Sequence, residues 1–409
     1  MTLKEALEVL QGEPIQVFDG DPMDIPCIET SDPEKLCKHP VVSVHMITYN
    51  HEPYIRQAIE GVMMQKTDFE FELIIGEDCS QDKTREICFE YQKKYPDKIR
   101  VLWWHENVSK LGGNGRRVTA HCRGEFIALC EGDDYWIDPL KLQKQVDVMR
   151  KYPNVGICFC GVDRLMQSTG LYKKYAHHDA PAGIFSGRDV LKALVLEVQH
   201  PPFIIRQANI ETSGILARVA AYKAGCDIDN GLHKMRFSFG DTIFMAACVR
   251  NYDAYFSSDV MSVYRKHQGG VTCSKDTSAS IMRDAIIVKI FQACSIYGWS
   301  MTDSVDYFSE NLFHTYKDKL ISFAQADKWS SVYSTMSQIN RWPLRRVFFR
   351  PKNIVLVLVV RLGLLRFPFF QRHIASGRGY LFRGWEHERL MLLKKNGELD
   401  TRPMIFRSK

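Results

Sequence analysis

Residues 41–65 read VVSVHMITYNHEPYIRQAIEGVMMQ, and this stretch decides the fold. Its first part, residues 41–47, is a nearly unbroken apolar run, which is typical of a strand that is buried on both faces. From Tyr54 to Gln65 the apolar residues recur at helical spacing instead, and one face carries Ile55, Ala58, Ile59 and Val62. The stretch therefore predicts a strand followed by an amphipathic helix.

The same alternation continues over about 110 residues. It predicts strands at residues 71–75, 99–103 and 126–130, and helices at residues 80–95 and 138–152. Ser80 or Asp82 is a candidate cap for the first of these helices, and Asp138-Pro139 opens the second. Strands that alternate with helices predict an α/β domain with a mostly parallel central sheet covered by helices on both faces, a fold that suits nucleotide binding.

The pattern becomes less regular after residue 155. It predicts an α+β second half of the same domain, with strands at residues 156–163, 212–216 and 254–264 and helices at residues 188–197, 218–224 and 241–251. Beyond about residue 274 the periodicity is helical. We therefore expect an N-terminal extension (1–40), one domain (41–272, with halves 41–135 and 136–272) and a helical C-terminal appendage (273–409).

Composition indicates a globular, intracellular protein. The chain has 409 residues, of which 45% are hydrophobic and 25% are charged, so wholesale disorder is excluded. Its twelve cysteines include no Cys-x-x-Cys and lie mostly in apolar runs, which favours reduced, buried thiols. Charged residues at Lys4, Glu5 and Glu8 interrupt the place where a secretory signal needs an apolar run, so we expect a cytoplasmic location.

Charge is distributed unevenly along the chain. Residues 341–409 carry 16 Lys and Arg against 4 Asp and Glu, which leaves 38 and 44 of the total 54 and 48 for the residues before them. The apolar stretch at residues 354–360 is too short to span a bilayer, which takes about 20 apolar residues. The basic tail therefore predicts peripheral binding to the anionic inner face of a membrane, while packing of the tail as a buried core helix remains the alternative.

Ligands of parallel α/β sheets bind at the carboxyl ends of strands, and three of the predicted strand ends are polar or acidic. They read Thr48-Tyr49-Asn50, Gly76-Glu77-Asp78-Cys79-Ser80-Gln81-Asp82 and Glu131-Gly132-Asp133-Asp134. Neither the dinucleotide fingerprint Gly-x-Gly-x-x-Gly nor a P-loop occurs there. Any bound phosphate must be neutralised in another way.

The third of these strand ends brings three carboxylates together. Repulsion among Glu131, Asp133 and Asp134 would be relieved by a divalent cation, and oxygen ligands suit Mg²⁺ or Mn²⁺. A turn at residues 133–134 and a helix cap at Asp138 would explain the same residues without a metal. Asp78 similarly predicts either a helix cap or an acceptor for an N–H group of a nucleotide base.

Taken together, residues 41–272 resemble the family 2 glycosyltransferases of the GT-A fold, of the type that builds bacterial cell-surface polysaccharides. The matching motifs occur in the family's order and are Val42-Ser43-Val44 through Asn50, Asp78-x-Ser80-x-Asp82-x-Thr84, Gly124 to Ala128 leading into Glu131-Gly132-Asp133-Asp134, Gly240-Asp241, and Tyr264-Arg265-x-His267. The resemblance implies a Rossmann-like GT-A domain.

Roles for single residues follow from the resemblance. It implies a metal site formed by Asp133, Glu131 and His267, where Glu131 replaces the first acid of the family's Asp-x-Asp motif with a longer side chain. Donor-nucleotide binding is implied for Thr48, Tyr49, Asp78, Ser80, Asn114, Arg117, Asp134 and Arg265. Asp241 is the implied general base, with a helix cap as its structural alternative. Residues 211–213 would border the acceptor or form a strand edge.

The implied function is metal-dependent, inverting transfer of a sugar from a nucleotide diphosphate sugar to a hydroxyl group. UDP-sugars are the favoured donors, a lipid-linked or polysaccharide glycan is the expected acceptor, Mn²⁺ or Mg²⁺ is the cofactor, and no nucleic acid partner is implied. One alternative is a nucleotidyltransferase, which usually needs a Gly-rich basic loop where this chain has residues 48–52. Another is a catalytically silent scaffold at a membrane surface, which would need none of Asp78, Asp133 and Asp241.

Overall fold

The computed structural model describes residues 27–108, 113–173, 182–191, 194, 211–226 and 241–270. Most of the predicted N-terminal extension and the whole of the predicted C-terminal appendage therefore lie outside the described residues, as do predicted helical residues 195–197. No helix within these ranges has the length and apolar character needed to cross a membrane.

The strands of the described ranges form one sheet. They are β1 (Ile28–Thr30), β2 (Val42–Thr48), β3 (Phe71–Glu77), β4 (Ile99–Trp103), β5 (Phe126–Leu129), β6 (Tyr135–Trp136), β7 (Val155–Met166), β8 (Leu171–Lys173), β9 (Gly183–Phe185), β10 (Ile215–Arg218) and β11 (Asp253–Lys266). Their order is β1-β4-β3-β2-β5-β10-β7-β11-β6, with β8 paired to β7 and β9 paired to β11.

The long strands share one direction, as the sequence predicts. Strands β2, β3, β4 and β5 pair in parallel, and β7 pairs in parallel with β11. Strand β10 is antiparallel to both β5 and β7, so β7 and β11 run in the same direction as β2. The carboxyl ends of these six strands consequently lie along one edge of the sheet.

The order of strands reverses beside β2. The chain passes from β2 to β3 and β4 on one side and then returns to place β5 on the other side of β2. Open α/β sheets bind ligands at such a switch point, in the crevice outside the carboxyl ends of the strands. Residue 48 ends β2 and residues 131–134 follow β5, so both segments lie at this point.

Helices cover the sheet because each presents an apolar stripe to it. The helices are α1 (Ile55–Met63), α2 (Thr84–Lys94), α3 (Asn114–His121), α4 (Lys141–Lys151), α5 (Gly187–Leu191), α6 (Val219–Cys226) and α7 (Asp241–Val249). Side chains of α1, α2 and α4 enter the main core with the buried residues of one sheet face, whereas Val118 of α3 joins a smaller cluster with Ile74 and Leu102 on the other.

Most elements match their predicted positions, and the differences are local. The predicted strand at residues 212–216 begins as a 3-10 turn, Thr212–Gly214, before β10. Strand β6 is only two residues long and leaves no pattern in the sequence, yet it pairs antiparallel with β11 through Val263 opposite Tyr135 and Ser262 opposite Trp136. That pairing carries the end of β11 toward residues 133 and 134.

Candidate active site

The turn that follows β5 is fixed against the end of β2. The Gly132 N–H donates to the Ile47 carbonyl (2.9 Å), and the Asp134 N–H donates to the Glu131 carbonyl (3.0 Å). A Cβ atom at Gly132 would lie 2.6 Å from Thr48 Oγ1, so only glycine lets the turn approach this closely. The packing explains why a glycine separates the two acids of the motif.

Arg265 fixes the same turn from the side of β11. Its backbone N–H donates to Asp134 Oδ1 (2.9 Å), and its Nε donates to the Asp133 carbonyl (2.8 Å). The two terminal nitrogens of its guanidinium donate to Gln167 Oε1 (2.7 Å) and Gln57 Oε1 (2.6 Å). All of its side-chain nitrogens therefore serve intramolecular contacts, and its binding to a donor stays a prediction.

Two histidines surround the Asp133 carboxylate. His267 Nε2 lies 3.0 Å from Asp133 Oδ2, and His51 Nε2 lies 3.9 Å from the same oxygen. One donor atom from each of the three residues lies within 4.8 Å of the other two. Asp133 and His267 lie together, as the resemblance implies. His51 is not among the residues predicted from the sequence, and its only signal there is its place three residues after β2.

Electrostatics favour the cation-binding forms of Asp133 and His51. Burial acts to raise the pKa of Asp133, but the His267 hydrogen bond and the nearby His51 and His267 rings hold that pKa below its usual range. Burial is the main cause of a lowered pKa at His51. An ionised carboxylate beside a neutral imidazole is the protonation pattern that a metal site requires.

Further carboxylates reach the site from distant segments of the chain. Burial, followed by the charges of Asp133, Asp241 and Glu211, raises the pKa of Glu131 to about 8. Burial also raises the pKa of Asp241, which begins α7 and accepts the Thr242 N–H at 2.7 Å. The predicted base and the predicted metal ligand Glu131 are thus electrostatic neighbours, although 110 positions separate them.

Glu211 and Asp134 complete this acidic group. Glu211 forms an ion pair with Arg164, whose Nε lies 2.9 Å from Glu211 Oε1. Burial, with the charges of Asp133 and Glu131, raises the pKa of Asp134 well above its usual range. Asp134 is almost fully buried and accepts the Arg265 N–H, which gives it a positioning role, while its predicted contact with a nucleotide stays a prediction.

Three side chains at alternate positions hold the loop after β2. Ser80 Oγ, Asp82 Oδ2 and Thr84 Oγ1 accept the backbone N–H groups of Asn50 (3.0 Å), Glu52 (3.0 Å) and His51 (2.8 Å), respectively. Asp82 Oδ1 also accepts the N–H of Thr84, the first residue of α2. The N-cap position is Lys83 and has no side-chain cap hydrogen bond, so the predicted cap by Ser80 or Asp82 is wrong. This Ser80-x-Asp82-x-Thr84 run therefore determines where His51 lies.

A second group of predicted donor-binding residues lies at the end of β3. The buried Asp78 carboxylate accepts the Val108 N–H (2.7 Å), and its charge acts on the buried Arg117 guanidinium. Asn114 Nδ2 donates to the Gly76 carbonyl (3.0 Å), in space that any side chain at position 76 would occupy. Thr48 is buried beside Gly132, and Tyr49 is 39% exposed at the same sheet edge.

The residues present fit a divalent cation. Asp133 and His267 provide an oxygen and a nitrogen in contact with each other, and Glu131 adds a nearby carboxylate. Carboxylate and imidazole ligands are compatible with Mn²⁺, whereas Mg²⁺ prefers oxygen alone. The arrangement can thus hold a metal beside an acidic side chain, Asp241, that is able to accept a proton.

Comparisons with known proteins identify a family match for part of the chain. Residues 43–213 match the model of glycosyl transferase family 2. An uncharacterised protein of Mycobacterium tuberculosis is 44% identical over 118 residues, which cover 29% of this chain and 34% of that protein. The putative teichuronic acid biosynthesis glycosyltransferase TuaG of Bacillus subtilis is 30% identical over 138 residues, 34% of this chain and 53% of TuaG.

The match spans about a third of the length of the first of these curated relatives and about half of the second. Among solved structures, S. aureus TarS residues 1–349 in complex with UDP-GlcNAc superimpose with a TM-score of 0.47 and 17% identity. That comparison covers 87% of this chain and 92% of the TarS chain.

Proposed function

Residues 43–213 match the model of glycosyl transferase family 2, and on that premise we propose that the chain transfers a sugar from a nucleotide diphosphate sugar to a hydroxyl acceptor. The observation that carries the proposal is the convergence of Asp133, His267, Glu131 and Asp241 at the carboxyl ends of β5 and β11 and the start of α7. These residues come from segments far apart in the chain, and metal-dependent transfer needs them in one place.

The donor lies across the sheet edge in this proposal. Its nucleotide occupies the end of β3, where Asp78, Asn114 and Arg117 lie together, and its diphosphate extends toward Asp133 and His267. A bound Mn²⁺ or Mg²⁺ would neutralise charge that develops on the departing diphosphate. Asp133 and His267 would hold that ion, with Glu131 as the candidate further ligand.

Asp241 acts as the general base. The acceptor oxygen attacks the anomeric carbon, the bond from that carbon to the diphosphate oxygen breaks, and the acceptor proton passes to the Asp241 carboxylate. A positioned base of this kind contributes ~10²–10⁴-fold to the rate. Its location beside Glu131 supports this assignment, and a single displacement inverts the configuration at the anomeric carbon.

The donor class and the acceptor follow from the sequence resemblance and from one relative. UDP-sugars are the favoured donors by the resemblance, and similarity to TuaG, a putative teichuronic acid biosynthesis glycosyltransferase, supports a polysaccharide as the product. We also propose, from sequence alone, that the basic C-terminal region contacts an anionic membrane surface, which would suit a lipid-linked acceptor.

The test is a screen of nucleotide-sugar donors with the full chain and Mn²⁺ that measures released nucleoside diphosphate. We expect release with at least one donor, and loss of that release in Asp133→Asn, which keeps side-chain volume but removes a ligand charge. Release of pyrophosphate from a nucleoside triphosphate and a sugar 1-phosphate, assayed in parallel, would instead identify a nucleotidyltransferase. Absence of both products across all donors would favour a silent scaffold.

A further inference from the structure

His51 is a partly buried imidazole whose ring nitrogens form no hydrogen bond to a described residue. Its side chain is 17% exposed, and its Nδ1 is buried with no hydrogen-bond partner among the described residues. Its Nε2 is 3.9 Å from Asp133 Oδ2, which is beyond hydrogen-bond distance. A buried polar atom without a partner is costly. Because neither ring nitrogen of His51 has a hydrogen-bond partner among the described residues, the imidazole is available to bind a cation.

The structure also holds His51 in place. Its backbone N–H is bound by Thr84 Oγ1, and the N–H groups on either side of it are bound by Ser80 and Asp82. The preceding residue, Asn50, has a positive φ of 55°, which turns the chain sharply at the end of β2. The backbone of His51 is therefore fixed before any ligand binds.

The His51 ring packs beside the His267 ring next to Asp133. The ring centroids of His51 and His267 are 6.1 Å apart in an edge-to-face arrangement, and Tyr54 packs against His267 with centroids 4.6 Å apart. Gly132 leaves open the space beside His51 Nδ1, where a Cβ atom would lie 3.0 Å away. Both imidazoles thus lie against one carboxylate.

We propose that His51 joins Asp133 and His267 as a third protein ligand of the metal, so that the site presents two histidines and one carboxylate and favours Mn²⁺ over Mg²⁺. This inference rests on the proposed function, which supplies the need for a metal. With bonds of about 2.1 Å, two ligands of one ion are at most about 4.2 Å apart. The observed separations, all within 4.8 Å, therefore require only a small side-chain adjustment.

The metal preference follows from the ligand set. Mg²⁺ keeps oxygen ligands and much of its water, whereas imidazole nitrogens suit transition metals. A site with two nitrogens consequently binds Mn²⁺ better than Mg²⁺, and removal of one imidazole reduces that difference.

The experiment is pulsed EPR of the full chain loaded with Mn²⁺ alone, which counts coordinated imidazoles through their ¹⁴N couplings. We expect two imidazoles in the wild type and one each in His51→Gln and His267→Gln. His39, an exposed residue before β2, provides the matched control, and His39→Gln should retain both. Mn²⁺ affinity should fall at least ~10-fold in His51→Gln, because even loss of a residue that only supports a ligand costs about 10–100-fold.

A single imidazole in the wild type, or an unchanged spectrum and affinity in His51→Gln, would overturn the inference. If His51→Gln does not fold, the number of imidazoles coordinated in the wild type decides whether the inference holds. The donor screen is independent of this outcome. Two coordinated imidazoles without nucleoside diphosphate release would support the His51 inference and contradict the proposed function. Nucleoside diphosphate release from a wild type with one coordinated imidazole would support the proposed function and contradict the His51 inference.

Discussion

Replacement of Gly132 by alanine should damage the candidate site through steric contacts with Thr48 and His51. The added Cβ would lie 2.6 Å from Thr48 Oγ1, 2.7 Å from Thr48 Cβ and 3.0 Å from His51 Nδ1, whereas ordinary contacts begin at 3.4 Å. The turn would have to move by about 0.8 Å from β2. Gly132 does not have a positive φ, so the expected effect arises from these contacts and not from backbone strain.

Gly132→Ala should affect stability modestly and turnover strongly. Overpacking of this kind costs about 1–3 kcal/mol of unfolding free energy. Movement of Asp133 away from His51 and His267 by nearly 1 Å should reduce turnover by ~10²-fold, because catalysis depends on such positions. We also expect weaker Mn²⁺ binding, since Asp133 is held by the same turn.

The assay is urea unfolding of the metal-free protein together with calorimetric titration of Mn²⁺. Gly183→Ala is the matched control, because a Cβ at Gly183 meets nothing within 4 Å and its φ is not positive. Removal of a glycine there should stabilise the protein by about 0.4–1 kcal/mol through the unfolded state. Equal unfolding free energies and equal Mn²⁺ affinities in the two variants would refute the reasoning.

Three other substitutions test the remaining assignments. Asp241→Asn should lower kcat by ~10²–10⁴-fold with donor affinity unchanged. Donor affinity is measured by calorimetry. Poor donor binding with normal turnover would place Asp241 in the donor site. Thr84→Val should lower the free energy of unfolding by about 1 kcal/mol and weaken Mn²⁺ binding, because the His51 N–H loses its acceptor. Thr84→Ser keeps the hydroxyl and should match the wild type in both measurements. Without metal, the free energy of unfolding should fall as pH rises from about 5 to about 8. The pKa of Glu131 is raised to about 8 in the native state, so the native state keeps a proton that the unfolded chain has already released at lower pH. Glu131→Gln should flatten that slope in urea unfolding series, and an identical slope would contradict the raised pKa.

Local patterns in the sequence were sufficient to predict the framework of the sheet. Burial of β2 on both faces appears as an unbroken apolar run, and the helical spacing of Ile55, Ala58, Ile59 and Val62 appears within twelve residues. Placement of the acidic turn directly after β5 also indicated a cation site. These features are readable because each depends on neighbours along the chain.

The tertiary structure decided which of these residues meet. Pairing of β5 beside β2 brings residues 131–134 to Thr48 and His51, and the two-residue strand β6 brings Arg265 and His267 to the same turn. His51 has no distinguishing sequence pattern, and the loop-binding role of Ser80, Asp82 and Thr84 resembles simple helix capping until the loop partner is known. The sequence alone determined the longer strands and the acids that follow β3 and β5, whereas the order of strands, a long-range property, determined the site.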